Sequence, residues 1–142
     1  MYRRTLRLLV ALLLCFPRRY AAGQEWTPPT RQMPMMPAPA QVTAAWTAAQ
    51  RAWIADPAGA DRAVAEGSGA RGAAQYVRFV SDMRPVAAWS DRNGDGRCDM
   101  VEIYSNGVII IQMIDSDYNG VANVVRYYDA NRRVIREVRS QS

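Results

Sequence analysis

The stretch Met100–Ile114, MVEIYSNGVIIIQMI, decides the fold. Two runs rich in strand-forming residues, Met100–Tyr104 and Val108–Ile114, flank the dipeptide Asn106-Gly107. Asn-Gly between two such runs is the strongest short-range signal for a β-hairpin, because both central residues of its type I′ turn need positive φ. The sequence therefore predicts an antiparallel hairpin here.

Further strand-like runs lie on both sides of this hairpin. Asn123–Tyr128 and Arg133–Val138 flank a turn and predict a second hairpin. Upstream, Gln75–Val80 and Val86–Trp89 are also rich in strand formers, although helical spacing across 76–83 leaves a helix as the alternative there. Together the runs predict a mainly β (α+β) fold, a small antiparallel β-meander of hairpin repeats with one N-terminal amphipathic helix.

The chain repeats with an offset of 24 residues (115 − 91). Asp91–Asp99, DRNGDGRCD, aligns with Asp115–Asn123, DSDYNGVAN, and the same offset pairs Val101 with Val125. A further shift gives a third copy near residues 72–80 that lacks the acids and is either a degenerate repeat or a coincidence. Short repeats of this kind bury their apolar faces only against their neighbours.

The first of these loops carries oxygen donors at positions 1, 3, 5, 9 and 12: Asp91, Asn93, Asp95, Asp99 and Glu102. Gly96 at position 6 permits a sharp reversal, and the carbonyl of Arg97 supplies position 7. A hard divalent cation binds six to eight oxygens, and carboxylates this close repel one another without one. The spacing predicts a calcium site. In a strand, Asp99 and Glu102 point to opposite faces, which weakens the assignment of Glu102.

The second loop keeps fewer acids. Its donors are the side chains of Asp115, Asp117, Asn119 and Asn123 and the carbonyl of Val121. Arg126 stands at position 12, so the formal ligand charge falls from −4 in the first loop to −2. We expect the first loop to fill first, with dissociation constants of ~10⁻⁴–10⁻³ M as in extracellular modules. The alternative for both loops is a metal-free Asx turn, in which Asp and Asn bind their own backbone.

The pattern DxNxDGxxDxxE of residues 91–102 resembles the twelve-residue calcium loop of EF-hands. Pro85 and Asn106-Gly107 interrupt both flanking helices, which excludes a helix–loop–helix pair. The pattern is more similar to calcium loops on other scaffolds, such as dockerins, thrombospondin type-3 repeats and integrin-like β-propellers, and to tandem hairpin repeats of bacterial envelope proteins. The resemblance covers about residues 86–138 and implies a structural Ca²⁺ ion.

The N-terminal residues 1–23 have the pattern of a signal peptide. A basic start is followed by the apolar run Leu8–Phe16, which is too short to span a bilayer, and by small residues suited to cleavage before Gln24. This predicts export to the periplasm or secretion from the cell. The alternative is a protein anchored in the membrane through an uncleaved leader. Residues 24–41 contain five prolines and predict an extended Pro/Met-rich linker.

Residues 42–72 are predicted to be a helical segment followed by a flexible break. Trp46 and Trp53 recur at helical spacing, and the alanine-rich stretch Thr43–Ala55 favours a helix whose tryptophans face the core or a partner. Asp61–Ala65 is expected to add one further turn, and the glycines of 66–72 form the break. The β-hairpin repeat domain then occupies residues 73–142.

Composition excludes several classes of function. The 142 residues contain no histidine, which excludes imidazole-based triads and zinc sites with imidazole ligands. The net charge of +5 resides in residues 1–23, and the rest carries 13 arginines and 13 acids, so nucleic-acid binding is not expected. Without a nucleophile motif we expect no enzyme. Cys98 is expected to be a buried, inert thiol.

The expected function is therefore that of an exported, non-catalytic calcium-binding or structural protein, a binding or scaffolding module of the cell envelope. The alternative is an accessory subunit of a larger envelope complex, anchored by its leader and without metal. A cluster of four arginines, Arg132, Arg133, Arg136 and Arg139, marks an edge strand and allows contact with an anionic membrane surface. A protein partner is the other expected contact, and the sequence leaves the oligomeric state open.

Overall fold

The computed structural model describes residues 26–37, 51–54, 62–67 and 72–141. In these ranges the chain forms one antiparallel sheet in which each strand pairs with the next along the sequence. The seven strands are β1 Arg62–Glu66, β2 Tyr76–Ser81, β3 Arg84–Ser90, β4 Met100–Ser105, β5 Val108–Ile114, β6 Val124–Tyr128 and β7 Val134–Arg139. The prediction of a mainly β antiparallel meander is confirmed.

Tight turns connect the strands at one end of the sheet. Asn106 and Gly107, with φ of 51° and 77°, join β4 to β5, as the paired positive φ of a type I′ turn requires. Asp82 and Met83, with φ of 46° and 63°, join β2 to β3 in the same way. The strand prediction for residues 75–80 is therefore confirmed, and the helical alternative is wrong.

The three hairpins β2–β3, β4–β5 and β6–β7 repeat one geometry. The pairing register shifts between Phe79 and Val80, between Ile103 and Tyr104, and between Tyr127 and Tyr128. These irregularities lie 24 residues apart, and each increases the local twist of its hairpin. The first hairpin thus shares the strand geometry of the other two, although the stretch that precedes it, residues 67–75, contains no acids.

One face of the sheet carries the hydrophobic core. Val77 pairs with Trp89, and Trp89 pairs with Val101, so their side chains lie side by side on that face. The rings of Phe79 and Trp89 are 4.8 Å apart between centroids. Each of these side chains is fully buried, which contributes about 1.5–3 kcal/mol per large apolar residue.

The proline-rich segment 26–37 covers the core rather than extending away from it. Met33 and Met36 are buried and belong to the core cluster together with Trp53. Trp26 packs against the same cluster, and its ring centroid lies 6.3 Å from that of Trp53. The segment is extended, but 26–37 is part of the folded domain and not a free linker.

Residues 31–37, which we call the clasp, hydrogen-bond to the long loops at the other end of the sheet. The carbonyls of Arg31, Pro34 and Pro37 accept from the N–H groups of Ala122, Cys98 and Ala74, at 2.8, 2.9 and 3.0 Å. Between these, the N–H groups of Met33 and Met36 donate to the carbonyls of Gly120 and Gly96, at 2.9 and 3.0 Å. The clasp thus advances three residues for every 24 residues of the sheet.

The dimensions of the two structures explain this match. An extended polyproline-type chain rises about 3.1 Å per residue, so three residues cover about 9.3 Å. Two neighbouring strands, which make one hairpin, span about 9.6 Å. Pro34 and Pro37 occupy positions where only the carbonyl is used, so their missing N–H groups cost the clasp nothing.

The region before the hairpins differs from the predicted helical segment. The further helical turn at Asp61–Ala65 is wrong, because Arg62–Glu66 is strand β1, paired with β2. Of the helix predicted over Thr43–Ala55, the structure describes only 51–54, where the N–H of Ile54 donates to the carbonyl of Arg51. The rest of that helix, the leader at 1–23 and most of the break at 66–72 lie outside the described residues.

Candidate metal site

The first long loop, Asp91–Asp99, folds around the carboxylate of Asp91. Its two oxygens accept the N–H groups of Gly94 at 2.7 Å and Gly96 at 2.8 Å. Both glycines have positive φ, 78° and 90°, which lets the backbone turn inward toward one side chain. The chemistry of Asx turns, in which a short polar side chain organises its own loop, is therefore present here.

Two other carboxylates complete this loop. Oδ2 of Asp99 accepts the N–H groups of Arg92 at 2.6 Å and Asn93 at 3.1 Å. Asp95 accepts the N–H of Arg97 at 2.8 Å, and its other oxygen accepts the side-chain amide of Asn93 at 3.0 Å. Among the described residues no hydrogen bond reaches Oδ1 of Asp99, which leaves that oxygen available.

The second loop, Asp115–Asn123, is organised by similar bonds with fewer charges. Asp115 accepts the N–H groups of Asn119 at 3.2 Å and Gly120 at 2.6 Å. Oδ1 of Asn123 accepts the N–H of Ser116 at 3.0 Å, as Asp99 does for Arg92 in the first loop. Oδ1 of Asn119 accepts the N–H of Val121 at 2.8 Å, the counterpart of the bond to Asp95. An amide oxygen therefore suffices for the turn at both positions.

The first loop brings three carboxylates together. Asp91, Asp95 and Asp99 can each direct one oxygen so that all three lie within 4.8 Å of one another. Asp91 is 4% exposed and Asp99 only 1%, so two of the three negative charges are shielded from water. Burial raises the pKa of Asp99, its hydrogen bonds from Arg92 and Asn93 oppose this, and the charges of Asp91 and Asp95 raise it further. A divalent cation bound among these oxygens would offset that repulsion.

Arg97 distinguishes the two loops in a way that the sequence does not indicate. Its guanidinium lies against Gly120 in the second loop, with Nη1 2.9 Å from where a Cβ of residue 120 would stand. The residue 24 positions earlier, opposite the first loop, is Ala73, which carries no charge. The second loop thus has two carboxylates and a neighbouring cation, whereas the first loop has three carboxylates and the uncharged Ala73 at the equivalent position.

Glu102 does not join the carboxylates of the first loop. It lies on β4, where its oxygens accept the hydroxyl of Tyr104 at 2.9 Å and the side-chain amide of Gln112 at 3.0 Å. The chain is already a strand at this point, so Glu102 belongs to the sheet face opposite the core. Gln112 also accepts the hydroxyl of Tyr128 at 3.0 Å, which places Glu102 in a polar network across the strands. The prediction of Glu102 as a calcium ligand is therefore wrong.

Cys98 is buried as expected. The thiol donates to the carbonyl of Met100 at 3.0 Å, and burial raises the pKa of Cys98 to about 12. A thiol is nucleophilic or metal-binding only as the thiolate, so Cys98 serves as a small core residue beside the loop.

The predicted ligands fall into three groups. Asp91, Asp95 and Asp99 converge, Asn93 lies beside them, and the second-loop side chains form a similar loop with only two carboxylates. The clasp was not predicted from the sequence, and it fixes the carbonyls of Gly96 and Gly120 through the N–H groups of Met36 and Met33. The three-residue spacing of those two methionines is a signal that could have revealed it.

Within the described ranges, no helix combines the length and the apolar character needed to cross a bilayer. No protein-family model matches the chain, and no curated protein matches it significantly.

Proposed function

We propose that this protein is an exported, non-catalytic module of the cell envelope, whose first loop binds a divalent cation, Ca²⁺, as a structural ion. Asp91, Asp95 and Asp99 would hold the ion, with the side chain of Asn93 and the carbonyl of Arg97 as further oxygen donors. The ion would neutralise the loop and fix its position against the clasp. Export rests on the signal-peptide pattern of residues 1–23.

One comparison carries this proposal. Asn123 makes in the second loop the bond that Asp99 makes in the first, so the turn itself does not require a carboxylate at that position. The additional charge of Asp99 is buried beside two other carboxylates, and its burial together with the charges of Asp91 and Asp95 raises the pKa of Asp99. A cation explains a buried charge that the turn geometry leaves unexplained.

The competing function is that of a metal-free accessory subunit, in which both loops are Asx turns. It is supported by the hydrogen bonds to Asp91, both of whose oxygens already accept loop N–H groups. Carboxylate oxygens have more than one lone pair, so these bonds and a cation are compatible. The two functions therefore differ in whether calcium stabilises the fold.

Calorimetric titration of the full chain with CaCl₂, after removal of metal by a chelator, tests the proposal. We expect a dissociation constant of ~10⁻⁴–10⁻³ M and weaker heats with MgCl₂. Asp95→Asn is the informative variant, because Asn119 shows that an amide at this position keeps the turn. We expect it to weaken calcium binding while the far-UV circular dichroism stays the same.

Absence of calcium heats together with an unchanged melting temperature in excess calcium would favour the metal-free subunit, since selective binding to the folded state must raise stability. Intact-mass measurement of the protein recovered from envelope fractions tests export separately. A chain that begins at Gln24 supports cleavage of the leader, and one that begins at Met1 supports the anchored alternative.

A further inference from the structure

The edge strand β7 is exposed and, among the described residues, pairs on one side only. It is hydrogen-bonded to β6, and no described strand lies on its other side. Alternate residues of an edge strand direct their N–H and C=O groups away from the sheet, which makes the edge a template for another extended chain. Val134 and Ile135 are 50% and 66% exposed, so the edge also carries apolar side chains.

A small apolar pocket lies beside this edge. Its volume is about 220 Å³, and its lining includes Trp26, Ile110, Tyr127, Ile135 and Arg136. Sites for drug-sized molecules measure roughly 300–1,000 Å³, so this one is better suited to a single large side chain. The pocket and the edge are contiguous, because Ile135 and Arg136 belong to both.

The charge of the edge is positive. Arg132, Arg133 and Arg136 are exposed, and in the part of the chain that the structure describes none of the three forms an ion pair. Arg136 lies 5.2 Å from the ring centroid of Tyr127, at the rim of the pocket. Glu137 is the acid of the strand, and it is already paired with Arg126 and Arg139.

This charge pattern argues against a second copy of the chain as the occupant. Antiparallel pairing of β7 with itself places side chains of one face opposite each other, and the two registers with the greatest overlap centre on Arg136 or on Glu137. Each register sets a charge directly against its own copy, which is destabilising. An acidic strand meets no such repulsion.

We propose that β7 binds an extended acidic segment of a protein partner by strand addition, with one large apolar side chain of that segment in the pocket. Backbone hydrogen bonds along the edge would supply affinity, and the pocket and the arginines would supply specificity. The inference goes beyond the calcium-binding module proposed above and does not rest on it. It does not require calcium, because β7 and the first loop are separated by β4, β5 and β6.

The test uses a blocked nonapeptide of alternating glutamate and valine with one central phenylalanine, titrated into the full chain with and without a chelator. We expect saturable binding with a Kd below about 100 μM, a rise in Kd of about tenfold when alanine replaces the phenylalanine, and loss of binding when lysine replaces glutamate. Amide resonances of 133–139 are expected to shift.

Arg136→Glu should weaken binding about tenfold, whereas Arg84→Glu, the same change at an exposed position on β3, should not.

Several results would overturn the inference. One is that the folded wild-type chain does not bind the peptide at concentrations up to about 1 mM. Another is equal weakening by Arg84→Glu, which would indicate unspecific charge attraction. Binding to phosphatidylcholine vesicles containing phosphatidylglycerol, without peptide binding, would assign the arginines to a membrane surface. A dimer in sedimentation that Ile135→Asp abolishes would assign the edge to a second copy. Calcium titration of the same samples reports on the first loop independently, so either proposal can fail alone.

Discussion

Exchanging the ninth residues of the two loops distinguishes a cation site from a turn. Asp99→Asn converts the first loop to the amide found in the second, and Asn123→Asp makes the reverse change. In a chelator, we expect Asp99→Asn to alter the free energy of unfolding by no more than about 1 kcal/mol. The loss of charge-assisted hydrogen bonds, worth about 1.5–3 kcal/mol against about 0.5–1.5 for neutral ones, is offset by the relief of buried repulsion.

With calcium the wild-type chain and Asp99→Asn should separate. At 10-fold to 100-fold excess over Kd, binding to the folded state adds about 1.4–2.7 kcal/mol. For a domain of this size that corresponds to a rise in melting temperature of roughly 5–15 °C. Asp99→Asn should lose most of this rise, because one of the three converging carboxylates is gone.

Asn123→Asp provides the matched control. It gives the second loop three carboxylates beside Arg97, so we expect lower stability in chelator and a new stabilisation by calcium. Thermal denaturation followed by circular dichroism measures the wild-type chain and both variants, each in chelator and in calcium. A wild-type melting temperature that calcium leaves unchanged, with Asp99→Asn less stable than wild type in chelator by more than about 2 kcal/mol, would refute the reasoning. Asp99 would then be needed by the turn alone.

Three further predictions concern other parts of the fold. Met36→Ala should lower the free energy of unfolding by about 2–5 kcal/mol in urea denaturation, because Met36 is 6% exposed, whereas Met35→Ala, at a residue 56% exposed, should change it little. Equal effects would mean that the clasp does not pack as described. Met83→Gly should raise stability by about 0.5–1 kcal/mol, since Met83 has φ of 63° and is 96% exposed; a loss of stability would contradict the assigned turn. The hydrogen bond from Arg126, and after it the one from Arg139, lowers the pKa of Glu137. The ionised carboxylate therefore stabilises the fold at pH values above the ordinary glutamate pKa, and this stabilisation is lost as the pH falls through the lowered pKa. Carbon-13 NMR titration should show this low midpoint, and Arg126→Gln should move it upward; an unmoved midpoint would assign the shift elsewhere.

The hairpins could be predicted because their signals are local. Asn106-Gly107 specifies a turn geometry by its own backbone preferences, and the strand formers on each side need only a neighbour to pair with. The offset between Asp91–Asp99 and Asp115–Asn123 likewise indicated that two loops would fold alike. Strand β1 could not be predicted from the sequence. Arg62–Glu66, RAVAE, carries no turn signal, and its hydrophobic periodicity does not distinguish a strand from a helix.

The errors in the site and in the linker have physical causes. The spacing of a calcium loop assumes that the chain keeps coiling through position 12, but β4 begins at Met100 and turns Glu102 toward the other sheet face. Five prolines in residues 24–41 predict an extended linker, because prolines cannot join a regular ladder. In the clasp, Pro34 and Pro37 each use only the carbonyl, and the N–H donors are Met33 and Met36.

The number of hairpins and the length of the clasp are coupled. Duplicating residues 97–120, one unit of 24, would add two strands and a loop whose glycine carbonyl and following N–H have no partner on the existing clasp. Adding three residues in the order Pro-Met-Met at the clasp would supply both partners and one more buried side chain. Lengthening this protein therefore requires paired insertions at two distant places in the sequence, in a ratio of eight to one, and a single insertion of either kind would leave polar backbone unsatisfied.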